Sequence, residues 1–170
     1  PLGGEIERLG SLGFDYLELA LDPPEGHHAH LAPQVASLKE ALGARGLGIV
    51  AHLPTFVSPA DLAPAVRATA RAEMAASLDV AAALGARYAV VHPAMPVGMG
   101  RRLLPQVRAL ALEALGELAA RAADRGVTLG LENMFPAYGH FFEAADLAEA
   151  LERFPGLQLT LDVGHAHIQD

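Results

Sequence analysis

A long helical pattern stands between every two strand-like runs of this sequence, and that spacing constrains the fold more than any other feature. Tyr16 to Leu21 (YLELAL) is an apolar, alternating run stopped by Asp22-Pro23-Pro24. Further strand-like runs follow at Gly48 to Leu53, Tyr88 to His92, Thr128 to Glu132 and Leu157 to Asp162. Between them, Leu31 to Arg45, Asp61 to Leu84, Leu103 to Arg125 and Glu143 to Phe154 read as helices, the first three closed by Gly46, Gly85 and Gly126. A short amphipathic helix from Gly4 to Gly13 precedes the first strand, fed by a loop over residues 1–4. Strands separated by long helices run parallel, because an antiparallel return needs only a tight hairpin. The expected class is α/β.

Two parallel architectures compete. An open, doubly wound sheet would be signalled by a Gly-x-Gly-x-x-Gly or P-loop pattern after a strand, and none is present. Instead every strand ends in a polar residue, as at the mouth of a (β/α)8 TIM barrel. A full barrel takes about 250 residues, and this chain has 170. The expectation is a single TIM-barrel domain over residues 1–170, incomplete at both ends, holding about strands two to six of the eight. A five-stranded open sheet complete in itself would leave two raw parallel edges.

Composition narrows the chemistry. About half the residues are hydrophobic, 52%, and the mean hydropathy is +0.27, enough to bury a core without a disulfide or structural metal. The absence of cysteine excludes disulfides, thiolate zinc sites and cysteine nucleophiles. Charged residues interrupt every apolar stretch and no secretory leader pattern opens the chain, so no membrane contact and a cytoplasmic location are expected. A net charge of −8 disfavours nucleic acid as a partner. Lys39 is the only lysine, a bias that points to no particular task.

Side chains alternate between the faces of a strand. Leu129 and Leu131 therefore face the helices, whereas Thr128, Gly130 and Glu132 face the barrel interior. The same parity turns Asp162, His92, His52 and Asp22 inward at the ends of their strands. Chemistry in this fold gathers at the C-terminal strand ends, so these residues are expected to converge on one cavity. Carboxylates and imidazoles together make a mixed O/N donor set suited to Mn, Zn, Co or Fe, with Mg served when water and substrate oxygens complete its shell. His165, three residues past Asp162 in DVGHAH, is expected to return to the same site because Gly164 lets the backbone turn. Other polar residues have plainer expectations: His167 an exposed loop histidine, Gly26-His27-His28-Ala29-His30 a solvated loop, and Glu18 a buried, paired structural acid. The loops after Glu132 (Asn133, Tyr138, His140) and after His92 (Met95, Met99, Arg101, Arg102) are placed to cover the cavity and read a substrate. Arg101 and Arg102 either hold a phosphate or carboxylate or sit exposed at the start of the next helix.

The segments GFDYLEL, AHLPTF, AVVHPAM, LGLENM and LTLDVGHAHI, in that order, resemble the sugar phosphate isomerase/epimerase family of xylose-isomerase-like barrels, which also contains apurinic endonucleases. The resemblance spans nearly the whole chain and is most specific at Glu132-Asn133 and Asp162-x-x-His165. It implies that Glu132 and Asp162 ligate a metal and that His165 binds substrate or another metal. It also implies that His52 and His92 are metal ligands, as in the endonuclease branch, or substrate-cavity residues, as in many isomerases. The family's remaining ligands, a histidine and a glutamate from the last strands, have no counterpart here. One departure is Tyr138, which stands where sugar epimerases of the family often carry a second glutamate.

The resemblance thus implies a divalent-metal-dependent isomerase or epimerase acting on a sugar or sugar phosphate through an enediolate. Glu132 would be ligand and acid/base, Asp162 ligand, His165 catalytic and substrate-orienting, and His52, His92, Asn133 and Arg101 substrate-binding, with His52 and His92 also available to a metal (Mn, Zn, Co or Mg). The partner would be a small sugar, and a homo-oligomer is allowed. The rival readings are a metal-dependent, apurinic-endonuclease-like phosphodiesterase and a non-catalytic, degenerate barrel.

Overall fold

The computed structural model describes residues 2–168. Helix α1 (Leu2–Ser11) leads to strand β1 (Tyr16–Ala20); a short helix α2 (His28–Leu31) and helix α3 (Val35–Arg45) then lead to β2 (Gly48–His52). Helix α4 (Pro64–Leu84), β3 (Tyr88–Val91), α5 (Leu104–Asp124), β4 (Thr128–Glu132), α6 (Ala144–Arg153), β5 (Leu157–Thr160) and α7 (Val163–His167) complete the order. The strands form one parallel sheet in the order β1-β2-β3-β4-β5. With neighbours pairing in chain order and helices crossing between them, this is the winding of a TIM barrel, present here as five strands with β1 and β5 at its edges.

The helices end where the chain must reverse onto the sheet. Gly46 (φ 65°) and Gly85 (φ 96°) adopt left-handed caps that close α3 and α4 with backbone bonds back to the last turn. The core lies between the sheet's outer face and the helices. Leu17, Leu19, Ile49, Ala51, Ala89, Val91, Leu129 and Leu131 are buried there against Leu38 and Leu42 of α3, Met74 and Leu78 of α4, and Leu115 and Leu118 of α5. Arginines stitch the helix layer together: Arg71 of α4 reaches Glu117 of α5 at 2.7 Å, Arg121 of α5 reaches Asp79 of α4 at 2.9 Å, and Arg108 of α5 reaches Glu149 of α6 at 2.7 Å.

The opposite sheet face carries the barrel interior, as strand parity predicts. Tyr88, Gly130 and Thr160 meet there, the Tyr88 hydroxyl lying 3.1 Å from Thr160 Oγ1, and a side chain on Gly130 would collide with both. Several expectations are corrected. The segment expected to be loop before the first helix is helical from Leu2, while Pro1 lies outside the described residues. The helix expected from Leu31 is broken into α2, a 3-10 turn over Ala32–Gln34 and α3, because Pro33 cannot donate the next helical hydrogen bond. Glu18 is exposed on the inner face of edge strand β1 rather than buried. Leu159 and Leu161 point away from the interior as parity demands, but they are 42% and 63% exposed rather than buried.

Candidate metal and substrate site

Glu132, the last residue of β4, is the hub of the strand-end cluster. Its Oε2 lies 3.1 Å from His92 Nε2 and 3.5 Å from His52 Nε2, and its Oε1 lies 3.2 Å from His165 Nδ1. Each partner comes from a different place: His52 ends β2, His92 follows β3, and His165 sits in α7 beyond β5. The His52 and His92 rings meet edge to face at 4.7 Å. Glu132 is 6% exposed. Burial opposes its ionisation, yet hydrogen bonds from His52 and His92 and their positive charge outweigh that and hold its pKa down to about 2. The carboxylate is therefore an anion at any ordinary pH.

Two ligand sets share this one carboxylate. His52, His92 and Glu132 offer donor atoms all within 4.8 Å of one another, and so do Glu132, Asp162 and His165. The tautomer of His52 sharpens the first set. Its Nδ1 lies 3.0 Å from the Leu53 carbonyl, which can only accept, so Nδ1 carries the proton and the neutral ring turns a lone pair on Nε2 toward Glu132 Oε2. A lone pair facing a carboxylate needs a positive charge between or upon them. A proton answers that need: burial opposes it, but the Glu132 and Leu53 hydrogen bonds and the Glu132 and Glu18 charges together raise the His52 pKa. A divalent cation answers it equally well, and imidazole nitrogen with carboxylate oxygen is a donor set that fits Mn, Co, Zn or Fe.

His165 is oriented by Asn133, whose carbonyl accepts from Nδ1 at 2.9 Å, leaving His165 Nε2 with its lone pair available. Asp162 caps α7: its Oδ1 accepts from the His165 amide at 2.7 Å, and its Oδ2 lies 3.9 Å from His165 Nδ1. His165 thus returns to the site through a capped helical turn; Gly164 lies inside α7 and takes no left-handed conformation, contrary to the role expected of it. Asn133 is 3% exposed and spends both ends of its amide on the Asp162 backbone, accepting from its N–H at 2.7 Å and donating to its carbonyl at 3.0 Å. It splices the ends of β4 and β5. Arg101 and Arg102 are exposed on a 3-10 turn (Gly98–Arg102), the second of their two expected settings.

Asp22 does not join the convergence: it accepts from the Thr55 amide at 2.9 Å and the Thr55 hydroxyl at 3.0 Å, tying the loop after β1 to the loop after β2. His167 is exposed, as expected, but as the last residue of α7 rather than in a loop. Sequence reasoning gave Tyr138 and His140 only a general covering role. The Tyr138 hydroxyl lies 3.4 Å from His92 Nδ1 and, as the only certain donor of the two, turns His92 so that Nε2–H faces Glu132. Burial, with the Glu132 charge behind it, raises the Tyr138 pKa and keeps that proton in place. His140, 2% exposed, donates from Nε2 to the Ala94 carbonyl at 2.6 Å and so pins the loop after β4 to the loop after β3.

A parallel sheet wound as a TIM barrel, with carboxylates and imidazoles at its C-terminal edge, defines the class of barrels that gather their polar side chains at the strand ends. The model of the family described as "Xylose isomerase-like TIM barrel" matches residues 6–170, and the chain belongs to that family. No significant match is found among curated protein sequences. Among solved structures, the chain is similar to a D-tagatose 3-epimerase-like protein at 25% identity, with a TM-score of 0.82 over 94% of this chain and 60% of that one. It also resembles D-psicose 3-epimerase from Clostridium cellulolyticum H10, seen with D-tagatose, at 18% identity and a TM-score of 0.81 over 99% and 60% of the two chains. A third, 3-keto-D-glucoside 4-epimerase from E. coli, is 19% identical with a TM-score of 0.77 over 99% and 66%. The chain thus spans about 60% of the length of the first of these structures. No described helix is long and apolar enough to cross a membrane.

Proposed function

We propose that this chain supplies the Glu132 half of an active site that isomerises or epimerises a sugar or sugar phosphate with the help of a divalent metal. The observation that carries the reading is the convergence of His52, His92, His165 and Asp162 on one buried, ionised Glu132, with nitrogen and oxygen donors within 4.8 Å of one another in each of two sets, an arrangement a divalent cation would satisfy. Sugar epimerases among the structural neighbours support the substrate class.

In this reading Glu132, Asp162 and His165 hold the metal, and His52 and His92 either join them or line the sugar cavity. A bound Mn, Co, Zn or Mg ion would contribute Lewis acidity toward adjacent oxygens of the sugar, making the hydrogen on the carbon between them easier to remove. The chain's own groups do the rest. Tyr138 fixes His92 with Nε2–H directed at Glu132, where it steadies the carboxylate; that proton has to leave if His92 joins the metal. His165 with its Nδ1 proton on the Asn133 carbonyl presents Nε2 as an acceptor to substrate; to join the metal through Nδ1, the nitrogen beside Glu132 and Asp162, it would move that proton to Nε2. A carboxylate held near pKa 2 is a weak base, so Glu132 works chiefly as anionic ligand and anchor, and its part in proton transfer is secondary.

The test is metal content by mass spectrometry after exposure to Mn2+, Co2+ or Zn2+, with Glu132→Gln as the comparison. The variant keeps volume and removes charge, so at least one ion per chain is expected to disappear while the far-ultraviolet circular dichroism stays unchanged. Equal metal content in the two proteins sinks the reading. One feature favours a second activity strongly enough to test: Glu132 belongs to both ligand sets, as a carboxylate bridging two ions would. Loss of two ions per chain, with nicking of abasic DNA by the wild type, would favour an apurinic-endonuclease-like phosphodiesterase over the isomerase, against the net charge of −8.

A further inference from the structure

The loop after β1, expected from sequence to be plain solvated chain, is fastened to helix α4. His27 Nε2 and His28 Nε2 lie 3.0 and 2.9 Å from the same oxygen, Oε2 of Glu73. The two rings sit 4.2 Å apart, and the three side chains are 26%, 20% and 28% exposed, so they are half-buried with one side open to water. Glu73 stands in the third turn of α4 and the two histidines are more than forty positions away in sequence, so separate elements bring them together.

From this geometry we propose that His27, His28 and Glu73 form a second divalent-metal site, of the zinc type, that clasps the loop after β1 to α4. It shares no residue with the Glu132 cluster and does not depend on the function proposed for that cluster. Two imidazole nitrogens and a carboxylate oxygen, all within 4.8 Å of one another, are the donors a tetrahedral zinc-class ion takes, with the exposed side left for water. Nitrogen-to-oxygen separations near 3 Å are what two ligands on one such ion require, since each bond is about 2 Å long. His30, exposed on the following turn, lies outside the group.

Metal binding has a definite cost in hydrogen bonds, and that supplies a signature. Without metal, His27 Nδ1 accepts from the Ala29 amide at 3.2 Å, so the ring proton is on Nε2 and is shared with Glu73. An ion at His27 Nε2 requires the proton to leave that nitrogen, and the ring stays neutral by taking one up from water on Nδ1, a net tautomer shift that sets Nδ1–H against the Ala29 N–H. The cap opens, and Ala29 loses its acceptor.

The experiment uses the Glu132→Gln chain, in which the strand-end cluster is disabled, so that failure of the clasp and failure of the strand-end assignment are read separately. After loading with Zn2+ and desalting, that protein is expected to retain a single ion, and Co2+ in its place to give the strong visible absorption of a tetrahedral centre. Adding Glu73→Gln or His28→Asn should remove the ion and the absorption, whereas adding His30→Asn should leave both. Zn2+ should also speed hydrogen exchange at the Ala29 amide. The proposal is overturned by an absence of retained zinc in the Glu132→Gln chain, by retention that survives both Glu73→Gln and His28→Asn, or by Ala29 exchange that saturating Zn2+ leaves unchanged.

Discussion

His140 shows how a single buried side chain can be assigned a proton and a consequence. Its Nε2 donates to the Ala94 carbonyl, its Nδ1 has no hydrogen-bond partner among the described residues, and burial pushes its pKa below the usual histidine value, with the nearby Arg108 charge adding to the effect and the Ala94 hydrogen bond and Asp146 opposing it. The folded ring is neutral at a pH where the unfolded ring, with a pKa of about 6.5, begins to take up a proton. Below that value the unfolded chain binds more protons than the folded one, so this residue's contribution falls as pH drops, at no more than about 1.4 kcal/mol per pH unit. Urea unfolding of the wild type and of His140→Gln at pH 7 and pH 5 checks this: the wild type should lose more stability than the variant on acidification, and parallel losses would refute the assignment. The strand-end residues were easier to read. Parity and the barrel rule sufficed to bring His52, His92 and Glu132 together, because a strand leaves its side chains only two directions. The partners of Asn133 and His27 were illegible, since both depend on loops whose path no periodicity dictates.

At the scale of elements, the turn from β4 into α6 depends on Asp146, in the first turn of that helix. Its Oδ2 accepts from the Phe141 amide at 3.0 Å and its Oδ1 from Arg108 Nη2 at 3.1 Å, while the Arg108 guanidinium lies 5.5 Å from the centre of the Phe141 ring. Phe141 is fully buried and holds a left-handed backbone (φ 56°), which a side chain of that size adopts only when its surroundings enforce it. Asp146→Ala removes the acceptor from a buried N–H and one partner from Arg108, and should cost about 1–3 kcal/mol in chemical denaturation. Glu149→Ala removes only the exposed end of the same arginine network and should cost much less. The reverse order would contradict this account of the corner. The long helices and their glycine caps were legible because apolar periodicity and Gly46 or Gly85 mark them independently. The short helices α2 and α7 were not, because each is started by one side-chain acceptor, His27 Nδ1 or Asp162 Oδ1, and is too short to show a period.

For the molecule as a whole, the strand-end cluster matters because it joins most of the sheet at one point. His52 and Glu132 end β2 and β4, His92 follows β3, and Asp162 with His165 follows β5, so an ion held among them would cross-link four strand ends in addition to the ladder, the Asn133 splice and the His140 loop contact. The sequence shows the parallel winding and the five strands, since each is bounded by its own turn signals. Strand direction followed from connection length and strand order from the barrel assignment, but the fate of the inner face did not: Tyr16, 66% exposed, and Glu18 lie on a surface whose covering no local pattern specifies. A ligand that binds only the folded chain raises its stability by mass action, about 2.7 kcal/mol at a hundredfold excess over the dissociation constant. For a domain of this size each kcal/mol moves the melting temperature by about 2–4 °C, so saturating Mn2+ should raise the wild-type transition by roughly 5–11 °C by the same scaling. Because the ion competes with protons for His52, whose pKa is raised, the increment should shrink as pH falls and more of that ring is protonated. Glu132→Gln should abolish it with Mn2+, an ion that prefers oxygen-rich sites over the two-imidazole clasp at Glu73. Scanning calorimetry with and without Mn2+ decides: a wild-type transition indifferent to the ion, or a rise that survives Glu132→Gln, would mean that the strand ends are held together by protons alone.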